Sequence, residues 1–324
     1  MIKSLNQYQT IGIIGLAKNT GKTTTLNAMI DVFHHEPLGL TSIGLDGETL
    51  DQVNFLPKPK IDVYPHMVVA TAKGCLDHAL TDYRIMEETK FHTALGKVYI
   101  VQILSKGTIM LAGPTTNHEM NELLLMMKHY VRRIFVDGAL SRKTFSAMTE
   151  LSGIVLATGA AFSPSMDETV AKTKQIIDTF QYPKTTYDII HSQAIIIHAE
   201  HEEVVLDQKK ASSFKEVLTK LEEHPEWIYV RGAFTEALLN VMIDLRLKDF
   251  TLICDDPSKL LIDHHKAHAF DILHIQVEVI KPCPLILVTA NPFRPTGDHY
   301  DKDIFLSRLK NITDIDVINV KDRW

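Results

Sequence analysis

The sequence predicts an α/β protein with a mostly parallel sheet flanked by helices, and a second α/β region after it. In the first half of the chain, short apolar runs rich in β-branched residues alternate with segments whose apolar residues recur with a period near 3.6. This alternation is typical of parallel strands joined by crossover helices. At 324 residues, of which 45% are hydrophobic, the chain is also long enough to bury more than one core.

The elements of the first half follow from these patterns in order. Thr10–Gly15 is predicted to be a buried strand, and residues 24–33 a helix with its apolar side chains on one face. Residues 56–60 (LPKPK) are predicted to be an extended loop, because proline lacks a backbone N–H and restricts the residue before it. The other predicted elements are strands 38–43, 68–71, 98–104, 108–112, 134–137 and 154–158 and helices 117–131 and 167–180. Strands 98–104 and 108–112 are expected to form a hairpin through residues 105–107.

The second half is predicted to begin where the pattern changes, at residues 181–183. This gives one domain at 1–183 and a C-terminal α/β domain of unknown role at 184–324. A hairpin of residues 194–198 and 204–206 is expected first. The later elements are strands 227–230, 250–254, 275–280, 285–289 and 316–320 and helices 235–247, 257–269 and 301–309. For helix 257–269, Asp256 and Pro257 have the chemistry of an N-cap and a first helical position.

Composition excludes several classes of function. The net charge is −6 and no block of Lys and Arg is long enough to follow a phosphate backbone, which argues against nucleic acid as a partner. The three cysteines are far apart, as expected in a reducing compartment. No apolar run approaches the roughly 20 residues that a membrane span needs, and the N-terminus lacks a signal-peptide core. We therefore expect a soluble, cytoplasmic protein with no membrane partner.

The most informative segment lies between the first predicted strand and the first predicted helix. Residues 15–24 have the sequence GLAKNTGKTT, and we call them the candidate phosphate loop. Backbone N–H groups of such a loop and of the helix that follows favour a bound phosphate, which makes this a P-loop. Lys22 is predicted to contact the β- and γ-phosphates, and the Thr23 hydroxyl to ligate Mg²⁺. The residues predicted to bind the nucleotide, ATP with Mg²⁺, are Lys18, Asn19, Thr20, Gly21, Lys22, Thr23 and Thr24.

The loop departs from the common pattern G-x-x-x-x-G-K-S/T in one position. The pattern expects glycine at position 16, where this chain has Leu16, and the glycine comes one residue earlier at Gly15. The alternative is that NTGKTT is only a polar helix cap. The shifted glycine resembles the loop of dethiobiotin synthetase and of related ATPases that include the MinD-type proteins. That resemblance implies a second acidic residue at the end of the next strand, where Asp46 stands 24 residues after Lys22.

Two carboxylates are therefore candidates for the catalytic site together with Lys22. By resemblance, Asp46 would ligate Mg²⁺ or position water, although Asp-Gly is also a common turn pair. Asp137 ends the apolar run IFVD, which fits a Walker-B carboxylate that holds Mg²⁺ directly or through water, although buried apolar runs that end in Asp also occur as ordinary strand ends. Several predicted strands end in small residues, at Gly15, Gly44, Gly113, Gly138 and Gly159. In an open α/β sheet these ends line the ligand crevice, so we expect one shared site.

Five blocks of the sequence resemble a narrower family, the reactivase of lysine 5,6-aminomutase. They are GIIGLAKNTGKTT (12–24), GLTSIGLDGE (39–48), VATA (69–72), VDGAL (136–140) and VLATGA (155–160). The resemblance is continuous over residues 10–180 and patchier beyond, where Asn291-Pro292 with Gly297 is similar to a C-terminal block of the family. It implies an ATP- and Mg²⁺-dependent factor that releases damaged cobalamin from an adenosylcobalamin-dependent aminomutase. It also implies a MutS-like ATPase as the partner subunit.

We accordingly predict a slow or partner-stimulated ATPase. The alternatives are a small-molecule ligase or kinase of the dethiobiotin synthetase class, and a binding module that does not hydrolyse ATP. Residues 141–143 (SRK) could sense the γ-phosphate or form a solvated basic turn, and residues 291–295 could contact the nucleotide base or form a proline-fixed turn. The group His264, His265 and His268 lacks the acidic residue of a His-Glu-x-x-His metal motif. ATP or GTP preference and homodimer formation are left open.

Overall fold

The chain folds into two compact α/β units, as seen in a computed structural model that describes residues 5–43, 60–138, 150–189 and 194–322. Unit 1 consists of Met1–Lys174 together with Pro284–Trp324, and unit 2 consists of Gln175–Cys283. A large mixed sheet forms the centre of unit 1 and a smaller one forms the centre of unit 2.

Helices separate short runs of strands along most of the described chain. The strands are β1 (Thr10–Gly15), β2 (Leu38–Ser42), β3 (Ile61–Val63), β4 (Val68–Ala72), β5 (Tyr83–Thr93), β6 (Gly96–Ile103), β7 (Gly107–Ile109), β8 (Arg133–Asp137), β9 (Gly153–Gly159), β10 (Ile195–His198), β11 (Glu203–Leu206), β12 (Trp227–Val230), β13 (Phe234–Thr235), β14 (Thr251–Cys254), β15 (Leu260–Leu261), β16 (Gln276–Val279), β17 (Leu285–Asn291) and β18 (Val317–Asn319). The helices are α1 (Lys22–Phe33), α2 (Lys73–Leu76), α3 (Asn117–Met127), α4 (Met166–Phe180), α5 (Ala211–Lys220), α6 (Glu236–Asp244), α7 (His264–Ile272) and α8 (Lys302–Lys310).

The sheet of unit 1 has nine strands in the order β18-β17-β9-β1-β8-β2-β4-β6-β5. Its first seven strands pair in parallel, and only β6 and β5 are antiparallel to their neighbours. Because neighbouring parallel strands end at the same edge of a sheet, the residues that follow β1, β8 and β9 lie side by side.

The first strand and the first helix form the centre of unit 1 because both are apolar where they meet. All six residues of β1 are buried, as expected for a strand that is covered on both faces. On α1, the residues Leu26, Met29 and Ile30 belong to the same core cluster as Ile11 and Ile13 of β1. This packing fixes the direction in which the chain leaves β1 and enters α1.

Unit 2 is built on a five-stranded sheet with the order β11-β10-β12-β14-β16. The hairpin predicted for residues 194–198 and 204–206 is confirmed, since β10 and β11 pair in antiparallel fashion. Strands β12, β14 and β16 are parallel and are connected through α6 and α7. Side chains of α5, α6 and α7 share one core cluster with these strands, which includes Phe214, Leu239 and Phe270.

The hairpin predicted for residues 98–104 and 108–112 is wrong. Strand β6 pairs instead with β4 and with the long strand β5, which the sequence analysis missed. Strand β7 pairs with β3 in a separate two-stranded sheet. The alternation of β5 is irregular because its register shifts twice along β6, so it gives no clean period of two.

The helix predicted for residues 257–269 is also wrong in its first half. Asp256 does act as a cap, with its carboxylate accepting hydrogen bonds from Ser258 N at 3.0 Å and Ser258 Oγ at 2.9 Å. The turn it starts is only a 3-10 turn at Pro257–Lys259. The chain then becomes extended in β15, which pairs with β13, and the α-helix begins at His264. Pairing with a distant strand thus outweighs a good local start signal.

The division into units differs from the predicted domains 1–183 and 184–324. The chain enters unit 2 at Gln175, a few residues before the predicted boundary, but it returns to unit 1 at Pro284. Strand β17 then pairs in parallel with β9, so the end of the chain completes the first sheet. Local sequence patterns cannot predict this return, because it depends on which strand of the first sheet has an unpaired edge.

None of the helices in the described ranges is long and apolar enough to cross a membrane.

Candidate functional site

The candidate phosphate loop connects the buried end of β1 to the first residue of α1. Strand β1 lies between β8 and β9, so the loop emerges at the centre of the nine-stranded sheet. Leu16 N donates a hydrogen bond to Ala157 O of β9 at 2.8 Å, which ties the start of the loop to the sheet. Thr20 Oγ1 donates to Ala17 O at 2.9 Å and closes the loop on itself. The Thr20 side chain is buried in this arrangement.

Two residues in the left-handed region shape the second half of the loop. Asn19 has φ 63° and Gly21 has φ 96°. Glycine adopts such a conformation without strain, and asparagine is one of the few other residues that tolerate it. The loop therefore turns sharply, and α1 begins directly after it at Lys22.

The N-terminus of α1 favours a negative charge. Gly21 is the N-cap and supplies no side-chain acceptor, and the first turn contains no acidic residue. The first N–H groups of a helix have no partner within the helix, and the helix dipole places partial positive charge there. Together these features give the end of α1 the chemistry of an anion-binding site.

Lys22 and Asp137 meet at this position. Lys22 Nζ lies 3.1 Å from Asp137 Oδ1 and donates a hydrogen bond to Gly138 O at 2.8 Å. Asp137 ends β8, where its backbone lies beside Ile13 of β1 on one side and Ser42 of β2 on the other. Parallel pairing to both neighbours therefore fixes the carboxylate next to the loop.

The Asp137 carboxylate has an unusual environment. Its Oδ1 atom is buried, and among the described residues nothing forms a hydrogen bond to it. The 3.1 Å contact with Lys22 is an ion pair without hydrogen-bond geometry. A buried carboxylate oxygen that contacts one positive charge, that of Lys22, within the described ranges is well suited to accept a further cation or water ligand.

The structure brings together only some of the residues that the sequence predicts for the site. Lys22 and Asp137 are in contact, and Lys18, Asn19, Thr20 and Gly21 form one loop before Lys22. Thr23 and Thr24 occupy the first turn of α1, where Thr24 is exposed. Asp46, Gly44 and residues 141–143 lie outside the described residues, so their predicted roles stay predictions.

Some of the strand ends that were expected to line one site do lie close to one another. Gly138 N donates to Ile13 O at 3.1 Å, so the end of β8 stays attached to β1. A Cβ atom on Gly113 would lie 2.1 Å from Ser42 O, which brings residue 113 against the end of β2. These segments therefore lie at one edge of the sheet.

The end of β17 contacts the candidate phosphate loop, which the sequence patterns did not predict; for residues 291–295 they left open a contact with the nucleotide base or a proline-fixed turn. Asn291, the last residue of β17, donates from Nδ2 to Asn19 O of the candidate phosphate loop at 3.4 Å. Two residues earlier, Thr289 Oγ1 lies 2.7 Å from Thr25 Oγ1 of α1, and both side chains are buried. In the sequence, β17 is recognisable only as an apolar run that ends in Asn-Pro. Nothing in such a run indicates which loop it will contact.

Arg294 serves the local structure rather than an open surface. Its Nε donates to Ala160 O at 2.9 Å and its guanidinium also contacts Ser163 O. It therefore ties the turn after β17 to the turn after β9, in agreement with a fixed turn at residues 291–295.

Histidine, cysteine and acidic side chains form no metal-binding cluster in the described part of the chain, the candidate site included. Wherever side chains are described, no group of three or more His, Cys, Asp and Glu residues could hold a metal ion. Two of the three cysteines, Cys75 and Cys254, are buried, and burial raises the pKa of the thiol of Cys254 and of the third cysteine, Cys283.

Comparison with known proteins returned no match to any protein-family model, curated protein or solved structure.

Proposed function

We propose that this chain binds ATP with Mg²⁺ at the candidate phosphate loop and hydrolyses it slowly, as a P-loop ATPase. One observation carries the proposal: an ammonium group at the first position of a helix contacts a carboxylate at the end of the adjacent strand. The left-handed Gly21 directly before it lets the backbone approach a phosphate. A triphosphate would then take the place of Asp137 as the anionic partner of Lys22.

The donor set at this site fits Mg²⁺, which prefers oxygen ligands and keeps several waters. The Thr23 hydroxyl and the Asp137 carboxylate would hold the ion, and the buried Oδ1 of Asp137 lacks a hydrogen bond within the described residues. Asp46 would ligate the ion or position water, as the resemblance to the dethiobiotin synthetase loop implies. When bound, the ion neutralises charge on the β- and γ-phosphate oxygens.

Each part of the chain has a defined task in this proposal. The loop amides and the end of α1 hold the phosphates, and Lys22 stabilises charge that develops on them. Asp137, with Asp46, orients the water that attacks the γ-phosphate. Because the barrier is lowered mainly by positioning and electrostatics, slow turnover is expected until a partner completes the site.

We further propose that the cellular role is reactivation of an adenosylcobalamin-dependent aminomutase. The support is the resemblance of five sequence blocks to the reactivase of lysine 5,6-aminomutase, two of which supply Lys22 and Asp137. ATP binding would change the loops next to Asp137 and so alter the surface offered to the aminomutase. A MutS-like subunit would take part in the same complex.

The test of nucleotide binding uses Lys22→Ala and a matched control. Lys128 forms an ion pair with Glu150 that is about as buried as the pair of Lys22 with Asp137, which makes Lys128→Ala a suitable control. Calorimetry with Mg-ATP should give binding for the native protein and for Lys128→Ala, and none for Lys22→Ala. Equal binding by native protein and Lys22→Ala would show that the loop is not the site.

The test of the cellular role uses an aminomutase that has been inactivated by loss of the adenosyl group. Native protein with Mg-ATP and the MutS-like subunit should restore activity on addition of fresh adenosylcobalamin, whereas Lys22→Ala should not. If ATP binds but activity is not restored, the reactivase role is wrong. ADP release that depends on a small carboxylate or amine would instead identify a ligase or kinase, and the absence of phosphate release over hours would identify a binding module.

A further inference from the structure

The backbone position of Asn291 is fixed by two neighbouring residues, Gly159 and Ala160. It ends β17 in register with Gly159 of β9, and Ala160 N donates to its carbonyl oxygen at 2.9 Å. A Cβ atom on Gly159 would lie 2.3 Å from Asn291 O, so only glycine permits this approach. The backbone of Asn291 is therefore held tightly against the strand next to β1.

The orientation of the Asn291 side-chain amide follows from its hydrogen bonds. Phe293 N donates to Asn291 Oδ1 at 3.2 Å. Because that contact requires the oxygen, the amide nitrogen must be on the other side, where it faces Asn19 O at 3.4 Å. The side chain thus bridges its own turn and the candidate phosphate loop.

The same side chain packs against the second left-handed residue of the loop. A Cβ atom on Gly21 would lie 3.1 Å from Asn291 Cβ and 3.3 Å from its Nδ2. Asn291 therefore contacts Asn19 and Gly21, the two residues whose positive φ angles set the shape of the loop. A loop that binds phosphate must turn its carbonyl groups away from the ligand and its N–H groups toward it.

A second contact fixes the distance between β17 and the helix that follows the loop. Thr289 Oγ1 and Thr25 Oγ1 lie 2.7 Å apart, and neither side chain is accessible to solvent. Because Thr289 and Asn291 belong to the same strand, this contact also holds Asn291 at a constant position relative to α1.

We propose that Asn291 is a positioning residue of the candidate phosphate loop: it turns the Asn19 carbonyl outward and supports Gly21, so that the loop amides face the phosphates. The inference rests on the proposed function in taking a triphosphate as the ligand. Asn291 does not touch the phosphates in this arrangement. It acts through the shape of the loop.

The experiment compares Asn291→Ala and Asn291→Asp with a matched control. Asn319 ends the adjacent strand β18 and accepts a hydrogen bond from Lys321 N at 2.8 Å, the counterpart of the contact between Asn291 and Phe293 N. Within the described residues, Asn319 has no hydrogen bond to the loop, so Asn319→Ala reports on the loss of a strand-end asparagine alone. Calorimetry is carried out with Mg-ATP and, separately, with inorganic tripolyphosphate and Mg²⁺.

Asn291→Ala should weaken binding of both ligands by roughly tenfold, as expected for a lost positioning contact. Asn291→Asp should weaken it further, because a carboxylate repels the Asn19 carbonyl and the phosphates. Asn319→Ala should leave both affinities unchanged. Unchanged affinity in both Asn291 variants overturns the inference. So does a loss confined to ATP with tripolyphosphate unaffected, since Asn291 would then contact the base.

A second readout separates this inference from the proposed function. In protein without added nucleotide, Asn291→Ala should increase hydrogen exchange at the amides of residues 19–22 at least several-fold, while Asn319→Ala should not. If native protein binds no triphosphate but this increase is seen, the proposed function fails and the positioning of the loop by Asn291 stands. If exchange is unchanged, Asn291 does not position the loop.

Discussion

Lys22 is placed so that it can exchange one anionic partner for another. Its side chain is 27% exposed and that of Asp137 is 19% exposed, so the pair is neither deeply buried nor freely solvated. Exposed ion pairs contribute about 0–1 kcal/mol, whereas a carboxylate that is buried and left without a partner costs considerably more. The contact thus gives the partly buried carboxylate of Asp137 a partner at little cost, and Lys22 would stay within reach of a phosphate bound at the end of α1, as the proposed function requires.

The first prediction concerns Asp137→Asn, which removes the negative charge and retains the shape of the side chain. An amide is a poor ligand for Mg²⁺ and does not balance Lys22, so we expect Mg²⁺ to lose its effect on ATP affinity. ATP turnover should fall by about 100-fold or more, as when a charge at a reacting phosphate is lost. Calorimetry with Mg²⁺ and with EDTA measures the first effect, and phosphate release measures the second.

The control for this variant is Asp77→Asn, which breaks the exposed ion pair with Lys73 on α2. It should change neither the effect of Mg²⁺ on ATP affinity nor the rate of ATP turnover. Asp137→Asn protein that still binds ATP more tightly with Mg²⁺ than with EDTA would exclude Asp137 as a metal ligand.

At the scale of elements, one buried hydrogen bond joins α1 to β17. Thr25 and Thr289 share it at 2.7 Å, and both side chains are inaccessible to solvent. Thr25→Val would keep the shape and leave the Thr289 hydroxyl without its partner. We expect a loss of about 1–3 kcal/mol in the free energy of unfolding, because an unsatisfied buried hydroxyl costs more than the hydrogen bond itself contributes.

The double variant Thr25→Val with Thr289→Val completes the cycle. It removes both polar groups, so it should be more stable than the sum of the single variants predicts. Urea denaturation followed by circular dichroism measures all four proteins. Additive effects would mean that the two hydroxyl groups do not depend on each other.

The third prediction concerns a buried carboxylate in unit 2. Burial raises the pKa of Asp256 to about 6, although hydrogen bonds from Ser258 oppose the shift. The folded state therefore holds this proton more tightly than the unfolded state, whose pKa is near the ordinary value of 3.8. The stabilisation is complete below that value and is lost as pH rises through about 6. From this group alone, unit 2 should be about 1 kcal/mol more stable at pH 5 than at pH 7.5.

Asp256→Asn isolates this effect because asparagine can still accept the hydrogen bonds from Ser258. The difference in stability between native protein and variant should shift by about 1 kcal/mol between the two pH values. The control Asp244→Asn changes an exposed acid in the same unit. The difference in the free energy of unfolding between native protein and this control should be the same at both pH values. Parallel pH profiles for native protein and Asp256→Asn would contradict the prediction. Urea denaturation at each pH provides the data.

At the scale of the whole molecule, local patterns predicted the elements of the fold better than their partners. Predicted strands at residues 10–15, 134–137 and 154–158 match β1, β8 and β9, because fully buried parallel strands are continuous apolar runs. The hairpin expected at 98–112 failed because the choice of neighbour depends on edges made by distant residues. The return of the chain at Pro284 was missed for the same reason.

The candidate site shows the same division between local and distant information. Lys22 and Asp137 were each recognisable from a short motif, and the structure brings them to 3.1 Å. Asn291 was not assigned to the loop, since its contact with Asn19 joins residues 272 positions apart. The sequence of β17 contains no sign of that partner. The contact follows from the order of strands in the sheet, in which β17 lies next to β9 and β9 lies next to β1.

The last prediction tests whether residues 284–324 are part of the unit that we propose to bind the nucleotide. A chain that ends at residue 283 keeps unit 2 but lacks β17, β18 and α8, which bury Val288, Phe305 and Leu309 against unit 1. Loss of β17 exposes the edge of β9, so we expect the amides of β1 and β8 to lose their protection from hydrogen exchange and Mg-ATP binding to disappear. A chain that ends at residue 322 should behave as the full protein does. If the amides of β1 in the shorter chain were fully protected from hydrogen exchange, the sheet would be stable without β17 and β18.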